Sequence, residues 1–456
     1  MKRKERFSTT QIIAIGFIVM IAVGTLLLTM PFSSADGTFT PVIDALFTAT
    51  TASCVTGLVT VNTLTHWSLF GHIVILILIQ FGGLGVVTFT TLFLIFIGQR
   101  ISLKQRMVIQ DAYNLDTLKG LVRLTKRIVI GTFCVEGVGA LLYMIRFIPE
   151  YGPASGIWRS VFTSVSAFCN AGIDILGADG LAPYRGDVIV NLTTILLIVL
   201  GGLGFFVWWD VIGVIGAKKK EKSKAGIFKK LSLQSKLVFT VTGILIAAGA
   251  VFILAADWSN PESLGNLPVH EKVLGALFQS VTLRTAGFQT IPQENFTGAT
   301  QILSMFLMFI GGSPGGTAGG VKTVTVAMVI LSVWANLKGD KDTECFHRRI
   351  SDSMVRKGVT VITVSFLVMA VSIIALSLAM PGAKIMEVIY ESVSAIATVG
   401  LSRSFTPLLS FAGKVIIICT MYLGRVGPIT MALAFNAKSK SKKAGRQLPE
   451  EKIMVG

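Results

Sequence analysis

Long apolar stretches alternate with polar, mostly basic connections along the whole chain. The clearest stretches, Gln11 to Pro31, His72 to Gln99, Val188 to Trp209 and Leu237 to Ala256, contain no acidic, lysine or arginine side chain. Each is long enough to cross about 30 Å of hydrocarbon as a helix of about 20 residues. The start MKRKERF resembles the basic end of a signal peptide. The apolar run behind it is longer than the roughly 7–15 residues of such a leader, so Ile12 to Met30 is expected to remain as the first membrane helix.

Superimposed on this pattern is a fourfold repeat, which outranks any single-segment reading. FTATTASCVTGL runs from Phe47 to Leu58, FTSVSAFCNAGI from Phe162 to Ile173, FQSVTLRTAGF from Phe278 to Phe288 and YESVSAIATVGL from Tyr390 to Leu401. The glycines that end the motifs, Gly57, Gly172, Gly287 and Gly400, are spaced by 115, 115 and 113 residues. Each motif lies between two apolar segments and is itself too short to span a bilayer. The second apolar segment carries its own glycines in FGGLG, LGGLG, IGG and LGRVG. The expected fold is therefore an all-α polytopic membrane protein. Four pseudo-symmetric helix, pore-loop, helix units surround one central pore, with eight spanning helices.

The corresponding organisation is a tail at 1–10, unit 1 at 11–99, a loop at 100–127, unit 2 at 128–217 and a basic loop at 218–236. Unit 3 follows at 237–335 with a Gly-rich intramembrane loop at 311–320, then a loop at 336–358, unit 4 at 359–437 and a tail at 438–456.

Backbone that leaves a helix at membrane depth is tolerated only where it is packed in protein or lines a water-filled cavity. Four such loops from one chain imply a shared axis. A dehydrated alkali cation is well served there by rings of backbone carbonyls, and glycine at each loop lets neighbouring carbonyls turn toward the axis. The candidate filter triplets are Val55-Thr56-Gly57, Asn170-Ala171-Gly172, Thr285-Ala286-Gly287 and Thr398-Val399-Gly400. None contains Asp or Glu, which argues against a carboxylate ring. The third motif is one residue shorter between its aromatic and its Gly, and it carries Arg284, which has no counterpart in the others.

Two cations lie within otherwise apolar segments, where a charge is costly and usually functional. Arg425 in LGRVG would face the conduction path and raise an electrostatic barrier; the alternative is a structural arginine paired with a buried carboxylate such as Glu391 or Asp44. Lys322 follows Gly311-Gly312-Ser313-Pro314-Gly315-Gly316-Thr317-Ala318-Gly319-Gly320, a run with six glycines and a proline that cannot form a regular helix. It is expected to be a flexible intramembrane gate beneath the filter, tethered by Lys322. The run lacks the GxxxxGK[ST] spacing of a phosphate-binding loop.

Composition agrees with a membrane location: 52% of residues are hydrophobic, 14% are charged and the mean hydropathy is +0.72. The net charge of +17 is confined to blocks between apolar segments, at Lys2 to Arg6, Arg100 to Arg127, Lys218 to Lys236, Lys338 to Lys357 and Lys438 to Lys452. By the positive-inside rule these blocks and both termini are cytoplasmic, and the charge reports topology rather than nucleic-acid binding. The five cysteines lack CxxC spacing, the four histidines are isolated, and Glu136 and Asp210 read as satisfied structural groups.

Four single-glycine filter motifs, the broken Gly-rich segment of the third unit and Arg425 together resemble the Trk/Ktr/HKT superfamily of K+ transporters, over roughly Ile12 to Phe435. The chain begins directly with the first unit, without the leading helix pair of TrkH, and so is most similar to the bacterial KtrB membrane subunits. The resemblance implies K+ as the transported ion, Na+ as a possible activator and no covalent cofactor. It further implies a homodimer in the cell membrane on a cytosolic KtrA-like ring, with nucleotide (ATP or ADP) bound to that partner and not to this chain. In that family the equivalents of the four glycines form the filter, and those of 311–320 and Arg425 restrict flow. Other readings are a Na+-conducting or weakly selective transporter of the same architecture, and a proton-coupled secondary transporter. A secondary transporter favours inverted repeats with midplane carboxylates, whereas this repeat keeps one orientation. No clustered nucleophile, acid or metal set suggests an enzyme.

Overall fold

The computed structural model describes residues 9–85, 88, 107, 121–177, 179–221 and 226–427. The tail at 438–456, nearly all of the tail at 1–10, the end of unit 1, most of the loop at 100–127 and the end of unit 4 lie outside the described residues.

The helices follow a repeated order of long, short and intermediate length. The long helices are α1 (Thr9–Thr29), α4 (Leu121–Tyr151), α8 (Leu233–Asp257) and α12 (Asp352–Ala379). The short ones are α2 (Val42–Cys54), α5 (Pro153–Cys169), α9 (Val269–Thr282) and α13 (Ile385–Ala397), and these carry the repeated motifs. The intermediate ones are α3 (Leu69–Leu84), α6 (Val188–Leu203), α10 (Gly298–Phe309) and α14 (Phe411–Val426). Helix α7 (Phe205–Glu221) continues from α6, and α11 (Thr323–Lys338) follows the Gly-rich segment.

Each intermediate helix starts at a side-chain cap, with Ser68, Asp187, Thr297 and Ser410 accepting from the backbone N–H three residues on. Such a cap satisfies one of the N–H groups that have no partner within the helix. These helices then stop after 12 to 16 residues. Of the eight spanning helices expected from hydropathy, only some are seen as single long helices. Among the described residues four helices, Gln11–Thr29, Val122–Tyr151, Leu233–Asp257 and Asp352–Ala379, are long and apolar enough to cross a membrane. A fifth arises if α6 and α7, bent by 92° at Gly204, count as one span. The ends of α3, α6 and α14 coincide with glycines of the second apolar segments, Gly85, Gly204 and Gly427, all at positive φ.

Two further differences from the sequence expectation concern boundaries. Helices α8 and α12 begin four and seven residues before the expected units, within stretches read as loops. The loop at 336–358 contains an antiparallel hairpin of β1 (Thr343–Cys345) and β2 (Arg348–Ile350), a small exception to the all-helical reading.

Packing brings the repeats into a closed circuit. Helix α3 packs on α5, α6 on α9, α10 on α13 and α14 back on α2, so each intermediate helix supports the short helix of the next repeat. The aromatics that open the motifs, Phe47, Phe162, Phe278 and Tyr390, are all buried. Large apolar side chains face outward instead on the long helices, for example Val23, Leu26, Val371 and Ile374. A fold with its apolar excess on the outside is suited to lipid, and the chain is a multi-pass membrane protein.

Candidate ion pathway

Each short helix ends one turn before its glycine, and the turn is built from the same parts. Val55, Asn170, Thr285 and Thr398 adopt the left-handed conformation with φ of 55, 59, 67 and 51°. Three of them are β-branched, for which positive φ is a strained choice held only by surrounding structure. The holding contacts are local. Thr56, Ala171 and Val399 donate their N–H to the carbonyls of Thr51, Ser166 and Ser394, five residues back, at 2.8–2.9 Å. Ala286 donates to Thr282, four residues back, at 3.0 Å. That shorter turn absorbs the missing residue of the third motif and keeps its triplet in step.

The hydroxyls of the same four residues clamp the chain beyond the turn. Thr51 Oγ1 and Ser394 Oγ accept from Gly57 and Gly400 N–H at 2.9 and 3.1 Å. Ser166 Oγ and Thr282 Oγ1 donate to the carbonyls of Ile173 and Phe288 at 2.5 Å. This role was not anticipated from the sequence, although a signal was present: each hydroxyl stands four residues after the motif's opening aromatic.

The four glycines meet. A Cβ added to Gly57 would lie 3.2 Å from Gly400 Cα and 3.3 Å from Gly172 Cα, and one on Gly287 would lie 3.0 Å from Gly172 Cα. Each glycine is also pressed by the carbonyl of its neighbour's triplet: Gly57 by Ala171, Gly172 by Ala286, Gly287 by Val399 and Gly400 by Thr56. The ring closes in chain order, and a side chain at any of the four would collide with an oxygen. The short helices, which end at this ring, direct the negative ends of their dipoles toward it.

Beneath the ring lies the Gly-rich segment. Instead of an open loop it is held on several sides: Ser313 and Thr317 N–H donate to Gly202 and Gly201 carbonyls at 2.9 and 3.1 Å, and Phe205 N–H donates to Gly315 O at 2.9 Å. Thr317 Oγ1 donates to Phe168 O at 3.0 Å and lies 3.2 Å from Asn170 Oδ1, while Gly319 N–H donates to Thr285 Oγ1 at 3.2 Å. A Cβ on Gly319 would strike Thr398 Oγ1. Glycine is required at 319 because bare backbone there touches the third and fourth loops, while the Thr317 hydroxyl reaches the second.

Buried Arg284 and half-buried Lys322 and Arg425 all bind carbonyls. Lys322 Nζ donates to Ala318 and Gly319 at 2.6 and 3.4 Å. Arg284 donates to Gly311 O at 3.1 Å, which accounts for the arginine peculiar to the third motif. Arg425 donates to Thr317 O at 2.6 Å, to Gly82 O, and to Gly83 O at 3.2 Å. The carboxylate partners considered for it are engaged elsewhere: Asp44 with Lys414 Nζ at 2.6 Å, and Glu391 with the hydroxyls of Ser402 and Thr406. Arg425 therefore links the end of α3 to the Gly-rich segment. Lys322 and Arg425 also line a cavity of about 260 Å3 together with Gly319, Gly320, Ile396 and Ala397.

The cation transport protein family represented by TrkH matches residues 2–446. The chain belongs to this family of cation transporters. It is 39% identical to the potassium/sodium uptake protein NtpJ of Enterococcus hirae over 99% of this chain and 98% of that protein. It is 38% identical to the Ktr system potassium uptake protein B of Bacillus subtilis, over 99% of this chain and 97% of that one. The fold is similar to the crystal structure of the potassium transporter TrkH from Vibrio parahaemolyticus, with a TM-score of 0.75 at 17% identity, covering 95% and 86% of the two chains. These relatives agree with the superfamily resemblance carried by the four motifs, the Gly-rich run and Arg425.

Proposed function

We propose that this chain carries K+ across the cell membrane along one axis surrounded by four pseudo-symmetric helix, pore-loop, helix units, with the second helix of the second and third units broken rather than continuous. The observation that carries the reading is the closed ring of Gly57, Gly172, Gly287 and Gly400, each in contact with a carbonyl of the next triplet. On this reading the four triplets are the selectivity filter, supplying oxygen ligands without fixed negative charge. The segment 311–320 is the gate, with Lys322 and Arg425 holding it against the filter's inner end. Both termini and the basic connections face the cytoplasm.

The Ktr-system name of the Bacillus subtilis relative supports an assembly with further components, which we take to be a second copy of this chain and a cytosolic KtrA-like nucleotide-binding ring. A less selective pathway, or one in which Na+ takes part, is favoured by the potassium/sodium description of the Enterococcus hirae relative. The test is K+ uptake in a strain that lacks its own K+ transporters, with and without a nucleotide-binding partner, at varied Na+. Restored uptake that grows with the partner is expected. Absence of K+ uptake under all these conditions, with the protein present in the membrane, overturns the reading.

A further inference from the structure

The long helix α4 carries a carboxyl group, Glu136, that the ion pathway as described does not use. Its side chain is buried within a helix long enough to span the membrane, where an ionisable group is costly and usually functional. Among the described residues it makes no ion pair. Its Oε2 accepts from Gln80 Nε2 at 3.2 Å, and Cys169 Sγ lies 3.9 Å from its Oε1 and 3.7 Å from Gln80 Oε1. Three buried polar side chains, from α3, α4 and α5, thus close on one another.

The repeat itself does not demand this carboxyl group. Ser164 Oγ donates to the Glu136 carbonyl at 2.6 Å, and in the third unit Ser280 Oγ makes the corresponding hydrogen bond, at 2.8 Å, to the carbonyl of Ile246. Each acceptor stands three residues before a glycine, Gly139 or Gly249, that is pressed against the same serine. One backbone role is therefore filled by glutamate in one unit and by isoleucine in another. What Glu136 adds is the side-chain cluster.

Both partners of that side chain adjoin groups of the pathway. Cys169 is the last residue of α5, and the next residue, Asn170, opens the second triplet in the left-handed conformation. Gln80 stands shortly before Gly82 and Gly83, whose carbonyls accept from Arg425. A Cβ on Gly83 would lie 2.5 Å from Cys169 Sγ, so the end of α3 and the second loop pack directly against each other. Glu136 touches both sides of that junction.

We propose that Glu136 is a positioning residue for the ion pathway: through Gln80 and Cys169 its carboxyl group fixes the second filter loop relative to the α3 carbonyls that anchor Arg425. The inference rests on the pathway reading of the four loops. A carboxyl group suits the task because its two oxygens serve two neighbours, whereas an aliphatic side chain leaves Gln80 Nε2 buried without an acceptor. Glu136→Gln keeps one acceptor and gains a donor, and a buried pair of that kind already exists between Gln279 and Gln293, with bonds of 2.6 and 3.3 Å.

The experiment reconstitutes wild type, Glu136→Leu, Gln80→Leu and Glu136→Gln in vesicles and reads rubidium flux, sodium flux and melting temperature at matched protein. Glu136→Leu and Gln80→Leu are each expected to lower the rubidium over sodium ratio by about tenfold, the effect of one buried polar group left unpaired. Combined, they lower it no further, because both remove the same contact. Glu136→Gln is expected to stay within about twofold of the wild-type ratio, the scatter of independent substitutions, and this rescue separates positioning from a general loss of stability. A wild-type ratio in both Leu variants overturns the inference, and so does a ratio in Glu136→Gln as low as in Glu136→Leu. If Glu136→Leu does not fold, a wild-type ratio in Gln80→Leu is enough to overturn it. A wild type that passes neither ion removes the pathway reading and this inference with it, whereas selective wild-type flux with unchanged variants removes only the role of Glu136.

Discussion

Replacing Arg425 by Ala removes a fork that joins two parts of the molecule, the end of α3 at Gly82 and Gly83 and the Gly-rich segment at Thr317. Only the Thr317 contact distinguishes a seated segment from a displaced one. A hydrogen bond from a charged donor contributes about 1.5–3 kcal/mol net. Its loss shifts the ratio of displaced to seated segment by about ten- to a hundredfold, at 1.4 kcal/mol per factor of ten. While the seated state dominates, flux rises by the same factor. Rubidium uptake into vesicles at matched protein measures it. Arg425→Lys separates charge from tether, because a lysine keeps the positive charge but not the two-pronged geometry. If the tether dominates, the Lys variant conducts nearly as well as the Ala variant; if charge alone forms the barrier, it resembles wild type. Flux equal to or below wild type in Arg425→Ala, with an unchanged melting temperature, would refute the reasoning.

Three further outcomes are expected. Gly287→Ser places a Cβ 2.5 Å from Val399 O at a φ of +80°, so the ring must widen and the K+ over Na+ flux ratio falls; an unchanged ratio removes Gly287 from the filter. Asp257 accepts from Thr300 Oγ1, Thr297 N–H and Oγ1, Ser263 Oγ and Asn260 Nδ2, tying the end of α8 to the start of α10. Asp257→Ala strands these donors at about 1–3 kcal/mol each where no water replaces the carboxylate, and a melting temperature within a degree or two of wild type contradicts it. Burial pushes the Asp174 carboxyl, in the connection after Gly172, up to about 6, against the lowering effects of the Leu176 N–H and Arg159. Its protonated form is the one the fold favours, so its contribution is complete below the ordinary carboxylate range and is lost as pH rises through about 6. Asp174→Asn is therefore expected to gain melting temperature relative to wild type above pH 6 and not at pH 4; a pH-independent difference rejects this.

Much of the architecture was legible because it depends on short-range properties. Hydropathy located the long helices, and the spacing of Gly57, Gly172, Gly287 and Gly400 marked positions that share one backbone geometry, including left-handed residues two places earlier. Hydropathy missed the bend at Gly204 in the second repeat because an apolar segment reads the same whether or not its hydrogen-bond ladder is broken at a glycine. The one-residue offset of the third motif was visible, but its accommodation by a four-residue turn at Thr282 was not. Helix starts at Leu233 and Asp352 lay within charged stretches, where capping and tertiary packing outweigh hydropathy.

By itself the sequence determined the repeat, the membrane environment, the residues brought to the loops and the impossibility of a helix through 311–320, since these follow from composition, periodicity and the conformational limits of glycine and proline. Only the tertiary structure decided how the four loops close into a ring, with Gly400 against Thr56 O, and what Arg425 holds. Its partners lie 108, 342 and 343 residues away in the chain and are backbone carbonyls, which every residue possesses and no sequence pattern singles out. Hydrogen bonding acts over about 3 Å of space, so the tether exists only once the chain has folded around it.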